Sequence, residues 1–196
     1  MGAAGTKRAK SESKDLWPDS RLVQHCLRGD EAAWTALVNK YKNLIYSIPV
    51  KLGFSQDDCS DIFQAVCVEL ISQLPQLRKP QALAAWLIKV TARRCNQWKR
   101  QASRFVDSES QPEPTAVDAL PDTVLSEVQN EQILRTTLRE LPPRCHQLIQ
   151  MLFFEASPRP YQDVARELGI ATGSIGFIRG RCLEKLRRRL EEMGFR

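Results

Sequence analysis

Apolar residues recur at three- and four-residue intervals from Arg21 almost to the end of the chain, and no segment alternates at the two-residue period of a strand. The pattern predicts helices throughout. "RLVQHCLRGDEAAWTALVNKYKNLIYSI" holds two of them: Gly29 stops the first and Asp30 caps the second. Trp34, Leu37, Val38, Tyr41, Leu44 and Ile45 line the buried face of that second helix, which Pro49 and Gly53 are expected to break. A third helix, "SQDDCSDIFQAVCVELISQL", is capped by Ser55 or Asp57 and aligns Ile62, Val66, Leu70 and Leu74; "LPQLRKP" then reads as a loop. The fourth, "QALAAWLIKVTARRCNQWKRQ", puts Leu83, Trp86, Leu87, Val90 and Trp98 on one face. Lys89, Arg93, Asn96 and Arg100 form the neighbouring stripe at about 100° per residue. One face packs and the next is positive.

After this helix the pattern lapses. "SESQPEPTAVDALPD" has the proline, serine and acid content of a flexible linker. Helical periodicity resumes from Asp122 to Glu140 and again from Pro143 to Phe154. The loop "EASPRP" follows, and then a last pair of helices. The expected fold class is all-α: two small helical domains joined by a flexible acidic linker. Residues 1–19 form a disordered tail, 20–104 the first domain, 105–121 the linker and 122–196 the second domain.

Charge sharpens the division. The chain of 196 residues carries a formal net charge of +6, which makes an anionic partner plausible without naming one. Between Trp86 and Arg104 every charged residue is basic, and between Phe105 and Glu131 all seven are acidic. Two basic working surfaces separated by an acidic spacer are the expectation. The start "MGAAGTKRAKSESK" lacks the apolar centre of a signal peptide, and no apolar run reaches bilayer length. With six scattered cysteines and no CxxC pair, the chain reads as cytoplasmic, with buried thiols.

The last pair has the spacing of a helix-turn-helix. Val164, Ala165 and Leu168 lie on its first helix, Gly169 at the turn, and Ile170, Ile175 and Ile178 fill the angle between the helices. The bland alternative is an ordinary helical hairpin. The second helix, "GSIGFIRGR", contains three glycines, although each costs up to about 1 kcal/mol against alanine in a helix interior. With Ser174 as N-cap, Gly176 falls in the first turn, where outward-pointing amides and a bare backbone suit a phosphate. Gly180 opens the next turn, with Arg179, Arg181 and Lys185 supplying charge. Phe177 could meet a thymine methyl or pack on the preceding helix; packing is the favoured expectation.

At this point the chain resembles a family. From about Leu22 to Leu190 it is similar to bacterial RNA polymerase sigma factors of the extracytoplasmic-function (ECF) type, which keep the second and fourth conserved regions of larger sigma factors. "DCSDIFQAVCVEL" resembles the acidic helix of the second region, "AWLIKVTARRCNQWKR" its Trp-containing basic helix, and "LPPRCHQLIQMLFFE" with "YQDVARELGIATGSIGFIRGRCLEKL" the fourth region. The resemblance implies core RNA polymerase as a partner, engaged through its largest-subunit clamp helices and its flap. Asp58, Asp61 and Gln64 would bind the clamp. Lys89, Arg93, Asn96 and Arg100 would bind the promoter-melting element, and Ser174, Gly176, Phe177, Arg179 and Arg181 the upstream promoter element. An anti-sigma factor is a further partner open to such a protein; a membrane is not expected.

The chain departs from the family's pattern where Gly176 and Phe177 replace a basic residue, where Arg93 stands in place of a common Asn, and in a longer "FFEASPRPY" loop. Arg94 falls in the apolar arc and calls for a carboxylate, Asp61 or Glu69. His25-Cys26 and Cys145-His146 fit no usual zinc spacing. Neither a phosphate-cradling Gly loop nor a Ser–His–acid pattern is present, so neither cofactor nor catalysis is expected. Two other readings stay open: a stand-alone helix-turn-helix regulator, and a sigma-like interaction protein that makes no use of DNA.

Overall fold

A computed structural model of the chain describes residues 14, 17–106, 120–155, 157 and 159–195. Among them are eight α-helices, three short 3₁₀ turns and no strand, so the fold is all-α as expected. The chain divides into two compact units, 1–120 and 121–196. The linker expected over 105–121 lies for the most part outside the described residues.

In the first unit, α1 (Asp19–Cys26), α2 (Glu31–Lys51), α3 (Gln56–Gln73) and α4 (Leu83–Val106) enclose one core. Leu22, Leu37, Ile45, Ile48, Ile62, Leu70, Leu83 and Leu87 are fully buried in it. Asp30 caps α2 by accepting from the amide of Ala33 at 3.1 Å, and Ser55 caps α3 by accepting from Asp58 at 3.1 Å. Both caps were legible because they are local: a short oxygen-bearing side chain stands just before an apolar period.

Two expectations need correction. Pro49 does not break α2, which runs on to Lys51. A proline this close to a helix end forfeits a single backbone bond, and its ring is buried here. The amides of Leu52 and Phe54 then bond back to the helix end, and Gly53, at a φ of 78°, ends it. Trp17 and Asp19, expected within a disordered tail over residues 1–19, also belong to the folded unit. Residues 1–13, 15 and 16 lie outside the described residues, but Trp17 is docked, with the guanidinium of Arg21 3.8 Å from its ring centre and the His25 ring at 4.7 Å. Lys14 donates to Asp30 at 2.7 Å, and that pairing, more than the Ala33 amide, holds the Asp30 carboxyl down at about 2.

The second unit contains α5 (Asp122–Glu140), α6 (Pro143–Phe153), α7 (Tyr161–Leu168) and α8 (Ile175–Glu192). Leu141, Leu148, Ile149, Val164, Ala165, Ile175 and Leu186 form its core. Gly169 ends α7 at a φ of 62°, a left-handed conformation that a Cβ disfavours, and the amide of Ile170 closes the turn on the carbonyl of Ala165 at 3.0 Å. The helix-turn-helix spacing read from the sequence therefore corresponds to two helices packed on one core. The cysteines depart from expectation. Cys145 on α6 and Cys182 on α8 form a disulfide, with Cα atoms 5.3 Å apart. Cys26, Cys59, Cys67 and Cys95 are free, and burial pushes the Cys26 thiol up to about 11 and that of Cys95 to about 12.

Candidate functional surfaces

The outer face of α3 carries Asp57, Asp61, Gln64, Val68 and Ile71, all exposed and spaced alternately by four and three residues. This spacing lines all five up as one outward seam on the helix. Its lower end is acidic and its upper end apolar, with Val68 68% and Ile71 59% exposed. Asp61 and Gln64, two of the residues implied as polymerase ligands, sit on this seam.

The third, Asp58, does not. It is half-buried, and both of its carboxylate oxygens accept from within the unit: Oδ2 from the Ser55 hydroxyl at 2.6 Å and Oδ1 from the Trp98 indole N–H at 2.8 Å. The Ser55 bond first and the Trp98 bond second lower its pKa. Asp58 thus joins the start of α3 to the far end of α4, across a sequence separation that helical periodicity cannot span.

On α4 the predicted stripe is present but not uniform. Lys89 and Arg100 are exposed and Asn96 is half-buried. Arg93 is drawn into an ion pair with Glu69 of α3, and Arg94 reaches the other oxygen of the same carboxylate at 2.7 Å. Of the two partners open to Arg94, Glu69 is the one used. That Glu69 also holds Arg93 had no signal in the sequence. Its side chain is 12% exposed and balances two guanidiniums that are themselves more than a third exposed. Glu69→Gln is therefore expected to destabilise this unit by about 1–2 kcal/mol, discounted for solvent screening. Urea denaturation followed by tryptophan emission would measure it, since all four tryptophans precede the linker.

On the second unit the expected capping by Ser174 does not occur. Its backbone is helical, its side chain makes no cap bond, and a 3₁₀ turn, Thr172–Ser174, leads directly into α8. Gly176 and Gly180 are exposed on α8, and a Cβ built on either would meet nothing within 4 Å. Arg179 donates to the hydroxyl of Tyr161 at 2.6 Å, linking the start of α8 to the start of α7. Arg181 is exposed, with its guanidinium 5.6 Å from the Phe177 ring centre.

The packing expected of Phe177 is overturned: it is 70% exposed. Ile175, Cys182 and Leu186 define the buried side of α8, and a residue two positions after Ile175 lies about 200° round from it. A wheel anchored on Ile175 would have placed Phe177 outside.

Residues 37–105 match the family model for sigma-70 region 2. The match begins at Leu37 in α2 and takes in the whole of α3 and nearly all of α4, the two helices that carry the acidic seam and the basic stripe. No curated protein matches the chain. A region 2 domain supports a sigma factor that binds core RNA polymerase and promoter DNA. No helix among the described residues is long and apolar enough to cross a membrane.

Proposed function

We propose that this chain is an ECF-type sigma factor that directs promoter-specific initiation from the cytoplasm. The single observation that carries the reading is the order of surfaces. A region 2 domain presents a helical seam on α3 and a basic stripe on α4, and a helix-turn-helix unit follows with an exposed basic face.

The seam through Asp61, Gln64, Val68 and Ile71 docks on the clamp helices of the polymerase. Acid at one end fixes direction and register, and the apolar end supplies buried area. Lys89, Arg93, Asn96 and Arg100 follow the backbone of the promoter-melting element, where phosphate contacts position the strand without reading it. Glu69 holds Arg93 in place until a phosphate competes for it. Asp58 takes no part in docking and keeps α3 and α4 in register instead.

In the second unit, Gly176, Phe177 and Arg181 face the upstream promoter element; Arg179, held by Tyr161, reaches it from the flank, and Ser174 lies at the edge of that face. The acidic linker sets the reach between the two grips.

Reconstitution with bacterial core RNA polymerase tests this. The protein is expected to co-elute with core and to direct transcripts from discrete starts on genomic fragments. Failure with core, together with tight duplex binding by the free chain, would establish a stand-alone regulator instead. Charge reversal at Arg179 and Arg181 is expected to abolish use of the upstream element; unchanged activity would favour a sigma-like interaction protein that makes no use of DNA.

A further inference from the structure

The first turns of α8 contain three features that the packing of the unit does not require. Gly180 forfeits up to about 1 kcal/mol of helix propensity inside α8, and Gly176, the second residue of that helix, forfeits part of that. Neither is needed for internal packing, because the space beside each is open. Between them stands Phe177, 70% exposed, an aromatic ring that burial would favour strongly. Helix propensity and the hydrophobic effect both run against this sequence, so the arrangement points outward to a partner.

The surrounding charge indicates which partner. Phe177, Arg181, Lys185 and Arg188 lie on the same exposed side of α8. Arg187 and Arg189 are by contrast drawn into ion pairs with Glu184, Glu191 and Glu140. A ring at the head of a basic stripe, on the second helix of a helix-turn-helix, suits the major groove of duplex DNA, where the N-terminal residues of that helix meet base edges. The groove offers an aromatic side chain one apolar feature, the C5-methyl of thymine. Glycines before and after the ring let the helix backbone come close enough for it to reach that depth.

We propose that Phe177 is a specificity-determining residue that reads a thymine in the upstream promoter element through its methyl group. Arg181, stacked near the ring, holds it in orientation while Lys185 and Arg188 follow the phosphates. The proposal rests on the sigma-factor reading given above.

The test uses the full chain with core polymerase. The upstream element is first defined by selection from a promoter library, and each of its thymines is then replaced singly by deoxyuridine, which keeps pairing and removes the methyl. At one position the substitution is expected to weaken promoter binding roughly three- to ten-fold, the worth of one or two buried methyl-sized contacts. Phe177→Ala is expected to bind the thymine and uracil templates equally and to melt at the wild-type temperature.

Two results would overturn the proposal, the second of them with or without a loss of initiation. No thymine is methyl-sensitive although the wild-type holoenzyme starts at discrete sites; or Phe177→Ala keeps the wild-type ratio between the templates, which together with weakened initiation is the mark of a protein contact. Absence of any discrete start would remove the sigma-factor reading itself, and the proposal with it.

Discussion

Replacing Val68 and Ile71 together by aspartate is expected to abolish co-elution of the chain with core RNA polymerase and leave its fold intact. The two side chains are 68% and 59% exposed, and the inward face of α3 belongs to Ile62, Val66 and Leu70. Charge at such positions costs a folded unit little, within about 0.5 kcal/mol. At an interface the balance reverses. Each apolar side chain would lose about 1.5–3 kcal/mol of burial, and each new carboxylate would be desolvated where an apolar side chain had packed. The sum predicts a Kd weakened by at least about 100-fold. Anisotropy of labelled protein against core would read the loss, and an unchanged tryptophan melting curve would show the fold retained. Undiminished binding would remove α3 from the contact.

Asp58→Asn separates docking from scaffolding on the same helix. If Asp58 touched polymerase, the amide would weaken binding and spare stability. With its carboxylate taken up by Ser55 and Trp98, the expected outcome is the opposite: a lower melting temperature with near-native affinity for core in the folded fraction. On the proposed reading, Asp58 thus serves the fold, and Asp61 the surface.

This pairing also marks the limit of what the sequence discloses. Asp30, Ser55 and Gly169 were readable because a cap or a turn is decided within a few residues. The apolar faces of α2, α3 and α4 were readable because a helix repeats its environment every 3.6 residues. Periodicity states which side of a helix is buried but not which neighbour it meets. Trp98 could be assigned to a packing face; that its N–H ends on Asp58, forty positions away, follows from the crossing of two helices. Glu69 was one of two candidates for Arg94 and proved to serve Arg93 as well. The basic stripe of α4 is consequently less uniform than its sequence, since Arg93 is engaged by Glu69. Phe177 departs from expectation for a different reason. Hydrophobicity alone argued for packing, and the helical phase set by Ile175 argued against it.

The disulfide is a covalent contact that nothing local announces, and breaking it should have the largest effect on stability. Cys145 and Cys182 are 37 residues apart and join α6 to α8. Closing a loop of that length restricts the unfolded chain by about 3–4 kcal/mol. For so small a helical unit this is a large share of a typical net stability of about 5–15 kcal/mol. Reduction is therefore expected to accelerate hydrogen exchange of the α6 and α8 core amides by about two to three orders of magnitude. The first unit supplies an internal control, because all four tryptophans lie in it and its described cysteines, Cys26, Cys59, Cys67 and Cys95, are free thiols. Tryptophan emission during urea unfolding should be the same with and without reductant. The double variant Cys145→Ala, Cys182→Ala should exchange rapidly in either condition. Exchange in the native chain that ignores reductant would mean that these two sulfurs stand side by side as thiols, with α6 and α8 held by Leu148, Ile149, Ile175 and Leu186 alone.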